Sequence, residues 1–143
     1  MKMHHQIYKD KTSKEIYDDA RSLMSSKQFN RAQILLEECL KMRYNDFQSG
    51  GGFAADLSII HYELAKTLNA IAAELSNPSR RELMKYHQSA SRNFYQAYQL
   101  RSMIFGPAHS LTAETREDYD RSRRTSILLQ SADLFKINPA PAA

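Results

Sequence analysis

The stretch from Ser89 to Glu114, SASRNFYQAYQLRSMIFGPAHSLTAE, constrains the fold more tightly than any other part of the chain. Ala90, Phe94, Ala97, Tyr98, Leu100 and Arg101 recur largely at three- and four-residue steps, which gathers side chains on one side of a helix. Small residues at Ala90 and Ala97 let a neighbouring helix approach closely, while Phe94 and Tyr98 fill the space beside them. Gly106-Pro107 stops the run, because glycine accepts the left-handed backbone that closes a helix and proline cannot continue it. Ser110 or Thr112 is expected to cap a following helix, with Ala113 and Glu114 in its first turns. The segment reads as helix, tight corner, helix.

That unit occurs twice. Ala32, Leu36, Cys39, Leu40, Met42, Arg43 and Phe47 stand 58 residues before Ala90, Phe94, Ala97, Tyr98, Leu100, Arg101 and Phe105. The same offset sets Ala54, Ala55 and Asp56 against Thr112, Ala113 and Glu114. Self-similarity at a fixed spacing marks a repeat architecture. In the first copy QSGGGF, from Gln48 to Phe53, replaces the Gly-Pro corner and is expected to be a mobile linker. A phosphate-binding loop is excluded, since no strand precedes the glycines and no Lys-Ser/Thr pair follows them.

The rest of the chain fits around these copies. Thr12 or Ser13 caps a first helix whose apolar face is Ile16, Ala20 and Leu23, and a short turn from Ser25 to Gln28 leads to a second helix beginning at Phe29. A third helix spans about Ala54 to Leu75. Its broad face of Leu57, Ile60, Leu64, Ala65, Leu68, Ile71, Ala72 and Leu75 suits the centre of a stack. Asn77-Pro78 breaks the chain, and Ser79 with Glu82 forms a capping box for a long fourth helix ending at Phe105. In a fifth helix, about Ser110 to Leu134, the apolar residues thin to Tyr119, Ile127, Leu128 and Leu129, as expected of the polar cap of a stack. The expectation is an all-α antiparallel stack of helical hairpins, about five helices over residues 12–135. A flexible leader, residues 1–11, precedes it and a Pro/Ala tail, residues 136–143, follows.

The two helical copies, the Gly106-Pro107-Ala108-His109 corner and the run TLNAIA from Thr67 to Ala72 resemble the tetratricopeptide repeats of the kinesin light chain class. Ala70 departs from that pattern, which carries a second asparagine there. The 58-residue spacing also exceeds the roughly 34 of a standard repeat, so the helices are expected to be lengthened. The resemblance implies a TPR-like α-solenoid in which the first helix of each pair lines a concave groove that holds a peptide. Carried over residue by residue, that groove comprises Lys14, Tyr17, Arg21 and Met24, then Lys66, Asn69 and Ala73, then Glu117 and Arg121. The Asn69 amide can pair with peptide donors and acceptors alike. Arg21, Lys66 and Arg121 would favour an acidic ligand.

The function so implied is a protein–protein interaction module or adaptor, with a protein or peptide partner. Two alternatives stand beside it. One is a structural subunit that associates with itself through exposed helical faces. The other is a fragment of a larger TPR-containing protein such as a SET-and-MYND methyltransferase, whose SET and zinc-binding elements this sequence does not contain. A co-chaperone clamp for C-terminal carboxylates is disfavoured, because Tyr17 and Arg21 do not supply its first lysine and asparagine.

No catalytic residues, metal ligands or cofactor sites are expected. Cys39 fills a small-residue slot and reads as a packed thiol, and as the only cysteine it allows no intramolecular disulfide, which fits a reducing, cytoplasmic setting. His4-His5 lacks a third ligand, His61 and His87 have no metalloprotease spacing, and the acids Glu114, Glu117, Asp118 and Asp120 read as a solvated face among arginines. No apolar run approaches the roughly 20 residues that span a bilayer. A net charge of +4 with interleaved acids disfavours nucleic acid, despite the clusters Arg80-Arg81 and Arg121 to Arg124. Arg123-Arg124-Thr125-Ser126 resembles a basophilic kinase site.

Overall fold

The computed structural model describes residues 11–137, with side chains through residue 131. The expectations for most of the leader, for His4-His5 and for the Pro/Ala run of the tail lie outside the described residues. Those described form five α-helices and no strand: α1 (Ser13–Ser25), α2 (Phe29–Gln48), α3 (Ala54–Glu74), α4 (Arg80–Phe105) and α5 (Ser110–Ile137). The all-α expectation holds. Helix α5 runs past the expected end at Leu134 and into the first two residues assigned to the tail.

Local chemistry sets the ends. The Thr12 hydroxyl accepts from the Glu15 amide and opens α1, while Ser79 and Glu82 cap each other's backbone at α4 as a capping box. At α5 neither Ser110 nor Thr112 is the cap. His109 takes that role, its Nδ1 accepting from the Leu111 amide at 3.1 Å, with its ring stacked on Phe105 at 4.7 Å. Thr112 is buried instead and donates to the Arg101 carbonyl. Gly106, at φ +89°, makes the corner between α4 and α5.

The glycine run after α2 is tied to the helix rather than loose. The Gly50 and Gly51 amides donate to the Phe47 and Asp46 carbonyls, the paired bonds of a Schellman ending, and Gly50 sits at φ +82° where that motif requires it. Backbone hydrogen bonds here compensate for the side chains the loop lacks.

Consecutive helices are antiparallel neighbours. From the corner outwards, Arg101 meets Thr115, Tyr98 meets Arg116 and Tyr95 meets Tyr119. Likewise Arg43 pairs with Asp56 at 2.7 Å, and His61 meets Asn93 midway along α3 and α4. The repeated positions form the core as their spacing requires: Ala32, Leu36, Cys39, Ala90, Phe94 and Ala97 are all buried. They pack with Ile16, Ala20, Ile60, Leu64, Ala65 and Leu68. The Cys39 thiol donates to the Ser13 carbonyl, and burial pushes its pKa up to about 11, so it stays protonated at neutral pH.

Helix α5 reverses what its apolar residues imply. Its buried line is Thr112, Thr115, Ser122 and Ser126, with Tyr119 between them, while Ile127 and Leu128 are exposed. Small hydroxyl residues pass close to α4, and Thr115 satisfies itself on the Leu111 carbonyl one turn back.

His61 is buried where α2, α3 and α4 meet. Its Nδ1 faces the Asn93 carbonyl oxygen at 2.9 Å and its Nε2 the Tyr44 hydroxyl at 2.8 Å. Asn93 Oδ1 can only accept, so Nδ1 carries the proton and Nε2 accepts from Tyr44. Burial holds the pKa of His61 below the ordinary imidazole value, and does the same for His87.

Two outcomes follow from this packing. Ala97→Leu forces a larger side chain into a closed interface and is expected to destabilise the fold by about 1–3 kcal/mol. A circular-dichroism melt checks this, and an unchanged Tm would mean the interface is open at Ala97. The histidines set a pH response: above pH ~6.5 both states are neutral, whereas below it the unfolded chain takes up protons that folded His61 and His87 resist. Stability should therefore fall as pH drops from ~6.5 toward the depressed folded value, at no more than about 1.4 kcal/mol per unit for each histidine. Melts at pH 7.5 and 5.5 measure the drop, and His61→Gln should shrink it.

Candidate functional site

Side chains bring the three odd-numbered helices together. The Thr67 hydroxyl of α3 lies 3.2 Å from the Met24 sulfur of α1, and the Glu63 charge of α3 acts on Tyr17 of α1. Asn69 Nδ2 donates to Ser122 Oγ of α5 at 3.2 Å, and Tyr62 Oη donates to Asp118 Oδ2 at 2.5 Å. In both pairings the partners advance in the same direction, so α1, α3 and α5 run parallel to one another.

Across these helices runs a band of alternating charge. The Arg21 guanidinium lies 6.0 Å from the Tyr17 ring centre. Glu63 pairs with Lys66 at 3.0 Å, and the Lys66 ammonium sits 5.0 Å from the Tyr62 ring centre. Asp118 then receives Tyr62 on one oxygen and Arg121 on the other, the latter at 3.2 Å. Lys66 and Arg121 are thus joined through Tyr62 and Asp118, while Arg21 lies over Tyr17 of its own helix. Burial and the Asp118 carboxylate together raise the Tyr62 pKa well above the ordinary phenol value, so the hydroxyl remains a donor.

The other expected residues fall into two groups. Lys14, Ala73 and Glu117 are exposed, with Lys14 paired to Asp18 on its own helix at 3.2 Å. Met24 and Asn69 are half-buried, and Asn69 turns its amide into the α3–α5 contact. Its Oδ1 is shielded and has no partner among the described residues. Asn69 therefore serves the helix contact in this arrangement rather than offering a free amide.

Sequence reasoning missed Tyr62 and Glu63, and read Asp118 as part of a solvated face, whereas its side chain is only 19% exposed and accepts from Tyr62. Nothing in their local pattern marks them, since Tyr62 and Asp118 are 56 residues apart and only the fold joins them. Charge balance follows from their presence. Lys66 and Arg121 each meet a carboxylate on their own helix, which leaves the band close to neutral.

Behind Tyr62 stands Arg101, buried, with its guanidinium 4.4 Å from the Tyr62 ring centre and Nη1 donating to Thr115 at 2.7 Å. Its repeat counterpart Arg43 pairs with Asp56 instead. The Phe94 ring meets Tyr62 edge-on at 5.5 Å, so the ring is held from α4 as well. A cleft of about 420 Å³ lies off the band, lined by Asp19, Leu23, Arg31 and Leu35 of α1 and α2. Among the described residues no group of three His, Cys, Asp or Glu is placed to hold a metal, and no helix is long and apolar enough to cross a membrane.

No protein-family model, curated protein or solved structure matches this chain.

Tyr62→Phe keeps the ring and removes the bond to Asp118. Hydrogen bonds to charged groups contribute about 1.5–3 kcal/mol when buried, and partial exposure here lowers the expected loss to about 1 kcal/mol. Urea unfolding of the variant reads this directly. A loss near zero would mean that the Tyr62 hydroxyl is equally well served by water.

Proposed function

We propose that this chain is a non-enzymatic protein-interaction module, a TPR-like α-solenoid whose odd-numbered helices present a peptide-binding surface. The observation that carries the reading is the run of contacts from Lys66 through Tyr62 and Asp118 to Arg121 across α3 and α5, with Arg21 over Tyr17 on the neighbouring α1. Three helices side by side offer the width that an extended or helical peptide requires. Exposed Lys14, Ala73 and Glu117 lie on the same helices and would border it. Alternating charges suit a peptide of mixed polarity, which can exchange its own groups for the pairs within the band. Cytoplasmic residence fits the lone buried thiol.

The test is a displayed peptide library selected on the wild type, with the selected peptides then titrated against Lys66→Glu. Reversing Lys66 sets a second carboxylate beside Glu63 and should weaken binding roughly fivefold, about 1 kcal/mol, while the circular-dichroism spectrum stays the same. Equal affinity for wild type and variant would move the binding surface off the band.

A second reading rests on Ile127 and Leu128, which are 47% and 69% exposed on the last helix. A stack that ends on apolar side chains can continue through a second copy. Light scattering over a concentration series separates the two, since a monomer at every concentration excludes obligate assembly.

A further inference from the structure

The band is nearly neutral, yet the protein carries a net charge of +4, and one helix accounts for the excess. Helix α4 holds Arg80, Arg81, Lys85, Arg92 and Arg101 against the single carboxylate Glu82, and no Asp or Glu follows until Glu114. Four of the five cations are exposed, Arg101 alone being buried. At about 100° per residue, Arg81, Lys85 and Arg92 fall within about 40° of one another, on the side opposite the buried line Ala90, Phe94, Ala97 and Arg101. Gln88, Gln96 and Gln99 continue the same outer stripe, which is free of acids beyond Glu82.

Three comparisons within the molecule set this stripe apart. Among the described residues, Arg81, Lys85 and Arg92 have no ion-pair partner, unlike Lys14, Arg43, Lys66, Arg116 and Arg121; Arg21, Lys27, Arg31, Lys41, Arg123 and Arg124 also have none, and the three on α4 differ in sharing one helical face. Elements packed against α4 supply no carboxylate to the three, since Asp118 and Asp120 of α5 are engaged by Arg121 and Arg116, and Glu63 of α3 by Lys66. The first repeat copy also lacks the feature. The counterparts of Lys85, Arg92, Gln96 and Gln99 are Lys27, Ile34, Glu38 and Lys41, so the fold itself does not demand a basic, acid-free outer face.

We infer that the outer face of α4 is a docking surface for an acidic protein segment, with Arg81, Lys85 and Arg92 as its cationic contacts. The argument is charge complementarity, and it is independent of the band on α1, α3 and α5. Arg81 and Arg92 are 11 residues apart, about 16 Å along the helix axis, with Lys85 between them. A short segment with carboxylates along that length meets all of them. A polynucleotide is the poorer fit: it would extend past the stripe onto exposed Glu82 at one side and Glu117 and Asp120 of α5 at the other, and three phosphate contacts release few counterions. Unpaired cations on a surface also raise the rate at which an acidic partner is captured, an effect that salt suppresses.

The experiment is fluorescence anisotropy with labelled octaglutamate on the full chain at about 0.02 M salt, where the screening length exceeds 20 Å. Arg81→Glu/Arg92→Glu should weaken binding by about tenfold or more, and Arg81→Gln/Arg92→Gln by a smaller factor in the same direction. Lys66→Glu/Arg121→Glu, on the band, should leave it within about twofold. Circular dichroism confirms that each variant is folded, and the glutamine pair carries the test if the glutamate pair is not. The proposal is overturned if octaglutamate does not saturate, if the band variant loses as much as the α4 variant, or if the α4 variants bind like wild type. It is overturned equally if labelled octathymidylate binds more tightly than octaglutamate, which would make the stripe a nucleic-acid surface. Failure on α4 leaves the peptide-binding band standing, because library-selected peptides test that surface separately.

Discussion

Helix α3 touches all four of the other helices, and the rest of the structure follows from what that contact demands of its side chains. It meets α1 through Thr67, α2 through Asp56 and His61, α4 through Tyr62, and α5 through Tyr62 and Asn69. A helix enclosed on so many sides has little room for an unpaired polar group, since burying one without a partner costs about 1–3 kcal/mol. The polar residues it does bury are bonded: Ser58 to the Ala55 carbonyl, Thr67 to the Glu63 carbonyl, and His61 to two neighbouring helices. Asn69 Oδ1 is the exception on this helix.

Much of this arrangement is legible in the sequence where one physical signal dominates. The offset of 58 residues located the buried pairs Ala32 and Ala90, Leu36 and Phe94, Cys39 and Ala97, because small and large apolar residues at helical spacing have few other uses. The capping box at Ser79 and Glu82 fixed the start of α4, since its bonds are local. Helix α5 was harder to read. Threonine and serine bury cheaply once their hydroxyls bond to a carbonyl one turn back, so Thr115 lines an interface that apolar periodicity does not mark. His109 as a cap was hidden for a similar reason, since a ring nitrogen did the work expected of a hydroxyl.

The band across α1, α3 and α5 was half legible. Its cations Arg21, Lys66 and Arg121 came from aligning the helices, but the groups that connect Lys66 to Arg121 did not. Tyr62 and Asp118 meet only because α3 and α5 pack side by side, and no window along the chain contains both. Charge patterning read from one helix at a time overstates the potential of a surface, because a neighbouring turn or helix supplies the opposite sign. The same reasoning in reverse singles out α4, where Arg81, Lys85 and Arg92 have no ion-pair partner among the described residues.

The hydroxyl seam between α4 and α5 also limits what chemistry α5 can tolerate. Ser126 is only 8% exposed, and Thr125 beside it donates to the Arg121 carbonyl. A phosphate on Ser126 would add nearly two negative charges and three oxygens to a side chain that is buried here. Of the tetrapeptide Arg123-Arg124-Thr125-Ser126 the two arginines are exposed and Thr125 is half-buried, so the fold shields the Ser126 hydroxyl alone.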